Sequence, residues 1–202
     1  GVSALYAKIF GKKLVYCLAN DQDATGKFFT GLAGKIFQFG FRLADWYAAQ
    51  SQAQAVEFAK RFKTKSGRIT VIKNSWPDQA PAAAAKEFIL WVGSSADLKR
   101  PEIFLDLAEE FPQEKFVMVL AKSRMNEPRW EEIMARGKQI GNLRLIESVP
   151  FKESDAYYAR AKVLASTSSS EGFPNVFLQA ARAKTPILSL AVDPDNFITA
   201  RD

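Results

Sequence analysis

Two stretches of the chain combine residue types that could do chemistry. The first is Ser168-Ser169-Ser170-Glu171-Gly172-Phe173-Pro174-Asn175-Val176-Phe177-Leu178-Gln179-Ala180. An apolar run, Lys162 to Ser166, precedes it and reads as a buried parallel strand. Val176 to Ala183 follows with helix-forming composition. Pro174 opens that helix at no hydrogen-bond cost, or Asn175 caps it. The turn between, with one acid and one glycine, therefore faces the unpaired N–H groups and positive dipole end of a helix. Such a turn binds anions, at the edge where open α/β sheets take ligands.

The second stretch is Leu90-Trp91-Val92-Gly93-Ser94-Ser95-Ala96-Asp97-Leu98-Lys99-Arg100-Pro101-Glu102. Again a strand ends in small residues and a helix begins, with Pro101 in its first turn. Lys99 and Arg100 stand before the positive end of that helix, an exposed placement that costs ~0.3–1 kcal/mol each. An anion lying between them would explain the arrangement; a solvated loop is the simpler alternative.

The surrounding elements alternate. Lys12–Ala19 reads as a buried first strand and Asn20–Asp23 as a polar loop. Gly34–Leu43 reads as a helix and Asp45–Gln50 as a short strand. Ser51 caps a helix to Phe62, with Ala55, Phe58, Ala59 and Phe62 on one face. Arg68–Ile72 is a further strand. Ser75–Pro81 and the alanines beyond it form a linker with two prolines. The second half is regular, with strands at Phe88–Val92, Phe116–Leu120, Leu143–Ile146, Val163–Ser166 and Ile187–Leu190. Its helices fall at Pro101–Phe111, Arg129–Gln139, Ser154–Ala161 and Asn175–Lys184. That alternation predicts an α/β fold with a parallel, doubly wound sheet. The first half, with three strands, is expected to have open sheet edges.

Composition narrows the function classes. The 202 residues are 48% hydrophobic, enough for a core, and hold one cysteine, Cys17, and no histidine. That excludes an internal disulfide and every His-based triad within the chain. No apolar run approaches the ~20 residues of a membrane span. With no signal-peptide pattern, a cytoplasmic protein is the expectation. Residues 1–78 carry 12 basic against 5 acidic side chains, and residues 79–202 carry 16 against 17. The run Lys60 to Arg68 reads first as a solvated helix end. An anionic acceptor, or peripheral association with an anionic inner-membrane surface, is the sharper reading. Nucleic acid is set aside, because aromatic and basic residues do not interleave.

Glu171 and Gln179, separated by seven residues with Gly172-Phe173-Pro174-Asn175 directly after the acid, resemble the E-x7-E signature of retaining glycosyltransferases of family 4. The resemblance runs from about Lys12 to Ile198 and is strongest from Phe88 onward. It implies the GT-B fold, with a partial acceptor-side Rossmann-like domain at 1–78 and a truncated donor-binding domain at 79–202. Upstream strands and a closing segment are expected to be missing, so the chain reads as a fragment.

The resemblance implies transfer of a sugar, with retention, from a UDP- or GDP-sugar to a glycan or lipid-linked acceptor in polysaccharide or glycolipid synthesis. It implies no cofactor beyond the donor and no metal, and no Asp-x-Asp pair is placed at the second sheet's binding edge. Gly93 to Lys99 resembles the family's Gly-Arg-x4-Lys pattern, which implies that Lys99 neutralises the donor pyrophosphate. Ser94 replaces the arginine, whose bidentate fork a serine cannot reproduce; Arg100 is a candidate substitute. Glu171 would reach the transferred sugar and act with Lys99 in catalysis. Gly172 would let the backbone approach, and Phe173, Pro174, Asn175 and Val176 would present backbone donors to phosphate. Gln179 takes the place of the acid on the ribose diol, and Val149 and Pro150 that of the loop meeting the base. Asn20-Asp21 lies where many relatives carry a histidine. These departures leave open a degenerate member that binds a nucleotide sugar without transferring it.

Overall fold

In the computed structural model the described residues are 2–26, 31–64, 66–77, 79–123 and 127–200. Lys65 of the basic run and Asp78 of the linker lie outside them. The chain divides into two compact units. One takes Gly1–Asn74, Ser170–Phe173 and Pro194–Asp202; the other takes Ser75–Ser169 and Pro174–Asp193.

The first unit holds a parallel three-stranded sheet, β1 (Val15–Cys17), β2 (Trp46–Ala49) and β3 (Ile69–Val71), in that order. Its helices are α1 (Val2–Ile9), α2 (Asp21–Thr25), α3 (Gly31–Arg42) and α4 (Gln52–Phe62). The Ser51 hydroxyl caps α4 by accepting from the Gln54 N–H at 3.1 Å, and Ala55 and Phe58 face inward. Phe41 centres the core, its ring 4.8–5.3 Å from those of Tyr16, Tyr47, Phe58 and Phe62.

Two sequence expectations need correction here. The strand predicted over Lys12–Ala19 is only three residues long, and Val15 and Cys17 are exposed. β1 is an edge strand; Val15 and Cys17 share its exposed face, and Tyr16 on the other face packs against Phe41. The polar segment after it is a helix, not a loop. Asn20 Oδ1 accepts from the Gln22 N–H at 2.9 Å, and Asp23 accepts from the Asn20 N–H at 3.1 Å, which closes a capping box on α2.

The second unit is a five-stranded parallel sheet with helices α5 (Pro101–Glu110), α6 (Glu127–Gly137), α7 (Phe151–Arg160) and α8 (Asn175–Arg182). Its strands are β4 (Phe88–Ser94), β5 (Phe116–Ala121), β6 (Leu143–Ile146), β7 (Ala161–Ser166) and β8 (Ile187–Ser189), in the order β6-β5-β4-β7-β8. Phe116 to Leu120 are buried on both faces of the sheet, as a near-continuous apolar run in a parallel sheet requires. Trp91, Phe104, Leu105, Met118, Leu120 and Ile133 build the core. The order reverses between β4 and β7, which makes their carboxyl ends the topological switch point.

Helix α7 begins at Phe151, three residues before its predicted start, because Pro150 at the N-cap position already supplies helix-compatible φ. The linker's described residues contain no helix or strand. Its start packs within the second unit. The Arg182 guanidinium donates to the carbonyls of Pro77 and Gln79 and pairs with Asp155, and Trp76 meets the Phe151 ring at 5.2 Å.

Candidate functional site

At the switch point of the second unit, β4 runs out through Gly93 and Ser94. Gly93 has no room for a side chain, since a Cβ there would stand 2.7 Å from the Trp91 indole. Ser95 is fully buried and accepts from the Ser123 N–H at 3.1 Å. A 3-10 turn over Asp97–Lys99 then carries the chain to α5.

That turn is tied to the end of β7. The Thr167 hydroxyl donates to the Lys99 carbonyl at 2.6 Å and accepts from the Trp91 indole N–H at 2.9 Å. The Ser169 N–H donates to the Leu98 carbonyl at 2.8 Å. The backbone of Lys99 is thereby held beside the loop leaving β7.

Arg100 does not take over from the absent arginine at Ser94. Its Nε donates to the Thr167 carbonyl at 2.6 Å and its Nη2 to the Ser168 carbonyl at 3.4 Å. The residue adopts a left-handed φ of 47° that a non-glycine rarely takes, and these bonds hold it there. Carbonyl oxygens thus do for Arg100 what an intervening anion was invoked to do.

The amino end of α8 flanks the same switch point. Pro174 is its N-cap and makes no side-chain cap bond. Having no N–H, Pro174 cannot be one of the backbone donors assigned to it. Asn175 and Val176 occupy the first turn, where N–H groups have no partner within the helix. Gln179 is buried one turn on. Its Oε1 accepts from the Tyr158 hydroxyl at 2.9 Å, and its Nε2 reaches the Ser154 hydroxyl at 3.4 Å. Burial raises the Tyr158 phenol above its ordinary pKa, so it donates at any ordinary pH. The Gln179 amide therefore links α8 to α7. Val149 and Pro150 lie at the same sheet edge, past the end of β6, two strands from the switch point.

Glu171, Gly172 and Phe173 belong to the first unit by their contacts. A Cβ on Gly172 would fall 2.0 Å from Gln50 Oε1 and 2.8 Å from the Ala19 carbonyl. The backbone does approach closely here, but its neighbour is protein. The Phe173 N–H, also assigned to phosphate, donates instead to Gln50 Oε1 at 2.8 Å. The Phe173 ring stands edge-on to Phe197 at 5.2 Å. Asp21 is raised to about 6, first by loss of water, then by the charges of Glu171 and Asp195, against a lowering contact from Gln54. No local pattern pointed to Gln50, Thr167 or Tyr158; each acts across more than 20 residues.

The Lys99 turn and the amino end of α8 both stand at the switch point of this sheet, the kind of edge that takes a diphosphate. Comparison with known proteins bears on this. The family model described as glycosyl transferases group 1 matches residues 72–194. No curated protein matches the chain in sequence. Among solved structures, the chain is similar to Anabaena HepE, in complex with UDP and glucose, at TM-score 0.73 and 18% identity, covering 93% of this chain and 55% of that one. It is similar to a TarM variant from S. aureus, in complex with fondaparinux, alpha-GlcNAc-glycerol and UDP, at TM-score 0.70 and 16% identity, over 92% and 39%. A UDP-forming α,α-trehalose-phosphate synthase from Burkholderia vietnamiensis gives TM-score 0.66 and 12% identity, over 92% and 56%. The chain thus spans about half the length of HepE and of the synthase, and less of TarM. The fold is that of GT-B enzymes, and with more than half its residues matched by the family model, the chain belongs to the glycosyl transferases group 1 family.

Proposed function

We propose that the chain binds a nucleotide-sugar donor and transfers its sugar, with retention of anomeric configuration, to a glycan or lipid-linked acceptor in polysaccharide or glycolipid synthesis. The observation that carries this reading is the stitching of the Lys99 turn to the loop leaving β7, at the switch point of the second unit's sheet. Residues 79–202 are the donor side and residues 1–78 the acceptor side. Lys99 and the N–H groups of Asn175 and Val176 stabilise the charge that develops on the leaving diphosphate, the kind of electrostatic contribution that dominates such reactions. Gly93 and Ser94, at the end of β4, are assigned to the donor-binding loop on the family pattern that runs from Gly93 to Lys99. Glu171 contacts hydroxyls of the transferred sugar, and Val149 and Pro150 line the base. Gln179 stands at the ribose position with one amide oxygen lone pair and one N–H beyond its bonds to Tyr158 and Ser154.

The reading invokes no cofactor and no metal ion. It places the protein in the cytoplasm, and the basic first half suits an anionic inner-membrane surface or acceptor. No described helix is long and apolar enough to cross a membrane.

A second reading, a nucleotide-sugar binder without transfer, draws on two observations. Arg100 is committed to carbonyls and does not restore the guanidinium that Ser94 replaces, and the Gln179 amide already has partners.

Calorimetric titration with UDP, GDP, uridine and guanosine tests the site. HepE and TarM, solved with UDP, make UDP the first nucleotide to try. Lys99→Ala is expected to weaken the bound diphosphate by about ten-fold, the cost of a charge-assisted hydrogen bond, and to leave the nucleoside unchanged. Equal weakening of both would remove Lys99 from the diphosphate. Binding of a sugar nucleotide without release of its sugar, in the presence of glycan or lipid-linked acceptors, would favour the second reading.

A further inference from the structure

Three side-chain amides converge on the segment that bears Glu171. Each stands just past the carboxyl end of a strand in the first unit's sheet: Asn20 after β1, Gln50 after β2 and Asn74 after β3. Asn20 Oδ1 accepts from the Ser170 hydroxyl at 3.0 Å. Gln50 Oε1 accepts from the Phe173 N–H at 2.8 Å, and Asn74 Nδ2 donates to the Phe173 carbonyl at 2.9 Å. The segment is pinned on both sides of Glu171.

The amides are themselves held. Asn20 Oδ1 also accepts from the Gln22 N–H as the cap of α2. The Gln50 N–H donates to Gln54 Oε1 at 2.7 Å, and Gln54 is buried. Between the pins, Gly172 fits against Gln50 and the Ala19 carbonyl with no space for a methyl group. Neutral amides suit this task. A lysine or arginine in their place would pair with Glu171, and a further carboxylate would add to the repulsion that already raises Asp21.

Resting on the proposed contact between Glu171 and the transferred sugar, we infer that Asn20, Gln50 and Asn74 are positioning residues that set the direction of the Glu171 carboxylate. They act through the loop backbone and do not touch the sugar. Their effect belongs to the sugar part of the donor, because small displacements of a contacting group sharply reduce its contribution.

The test uses the full chain with UDP-glucose, UDP-N-acetylglucosamine and GDP-mannose, each titrated beside its parent nucleoside diphosphate. Glu171→Gln, Gln50→Met and Asn74→Ala are compared with the unaltered protein, with thermal unfolding followed for each. Gln50→Met keeps length and shape and removes the acceptor; Asn74→Ala attacks the other side of the loop should the first variant fail to fold. The inference expects Glu171→Gln and both amide variants to weaken the best-bound sugar nucleotide by about ten-fold, as loss of one or two hydrogen bonds does, with the diphosphate alone unchanged. If Glu171→Gln shows that split and folded amide variants do not, the inference is overturned and the sugar contact of Glu171 stands. If Glu171→Gln itself leaves sugar-nucleotide and diphosphate affinities in their original ratio, or no sugar nucleotide binds, the parent reading fails and takes the inference with it.

Discussion

Gly172 shows how much one missing methyl group can decide. The Gln50 amide could swing away from an added Cβ, but the Ala19 carbonyl belongs to the backbone. Gly172→Ala is therefore expected to destabilise the first unit by about 1–3 kcal/mol, the usual cost of overpacking. Chemical denaturation of Gly172→Ala, alone and with Gln50→Ala, checks this. The second change should restore only part of the loss, and full restoration would exonerate the Ala19 carbonyl. Asp21 carries a different consequence. Its carboxyl is raised from 3.8 to about 6, so between those values the folded chain holds a proton that the unfolded chain has released. Its contribution to stability is full below the lower value and is lost as pH rises through the upper one. Asp21→Asn imitates the protonated form. It should raise the unfolding temperature at about pH 7.5 and leave it nearly unchanged at about pH 4, by the same linkage. A gain of equal size at both pH values would show that the Asp21 charge is not responsible.

At the level of elements, α4 is capped by one residue adjoining it in sequence and by one far from it. Ser51 takes the Gln54 N–H, while the Asp195 carboxylate takes those of Gln52 at 2.9 Å and Ala53 at 3.1 Å. The first three orphan N–H groups of the helix are thus satisfied, and a negative charge sits at its positive end. Ser51→Ala and Asp195→Ala should each cost about 1 kcal/mol, as loss of an N-cap does. Urea titration followed by far-UV circular dichroism measures it. A near-zero effect for Asp195→Ala would mean that water replaces the carboxylate without penalty. The Ser51 cap was legible, because a cap and its helix adjoin in sequence. The Asp195 cap was not, because 142 residues separate donor and acceptor. The same holds for Arg100, whose position before a helix was plain but whose partners stand 67 residues away.

At the scale of the whole molecule, the core clusters among the described residues include one around Phe41 and Phe58 and one around Phe104 and Phe116, with no residue in common. Phe58→Ala and Phe104→Ala should each remove about 3–5 kcal/mol from the unit that contains the ring. Calorimetry should then show each variant lowering a different part of the unfolding profile, and identical shifts of a single transition would contradict it. Strand and helix positions in the second unit could be read from sequence, because apolar runs, caps and prolines act within a few residues of themselves. So could the candidacy of Glu171 and Lys99, which rests on contiguous motifs. Sequence did not reveal that β1 is a short edge strand, that Asn20–Asp23 opens a helix, or that α1 exists with only Ala4 and Ala7 buried. These outcomes depend on what covers each segment. By itself the sequence determined the strands and helices of the second unit and which residues its motifs put forward as candidates, because both follow from local periodicity and contiguous pattern. Only the tertiary structure decided where the polar groups of those motifs are spent: Arg100 on carbonyls, Gln179 on Tyr158 and the Phe173 N–H on Gln50. The physical reason is that a hydrogen bond between distant residues is chosen by proximity in the fold, for which a single sequence contains no local signal.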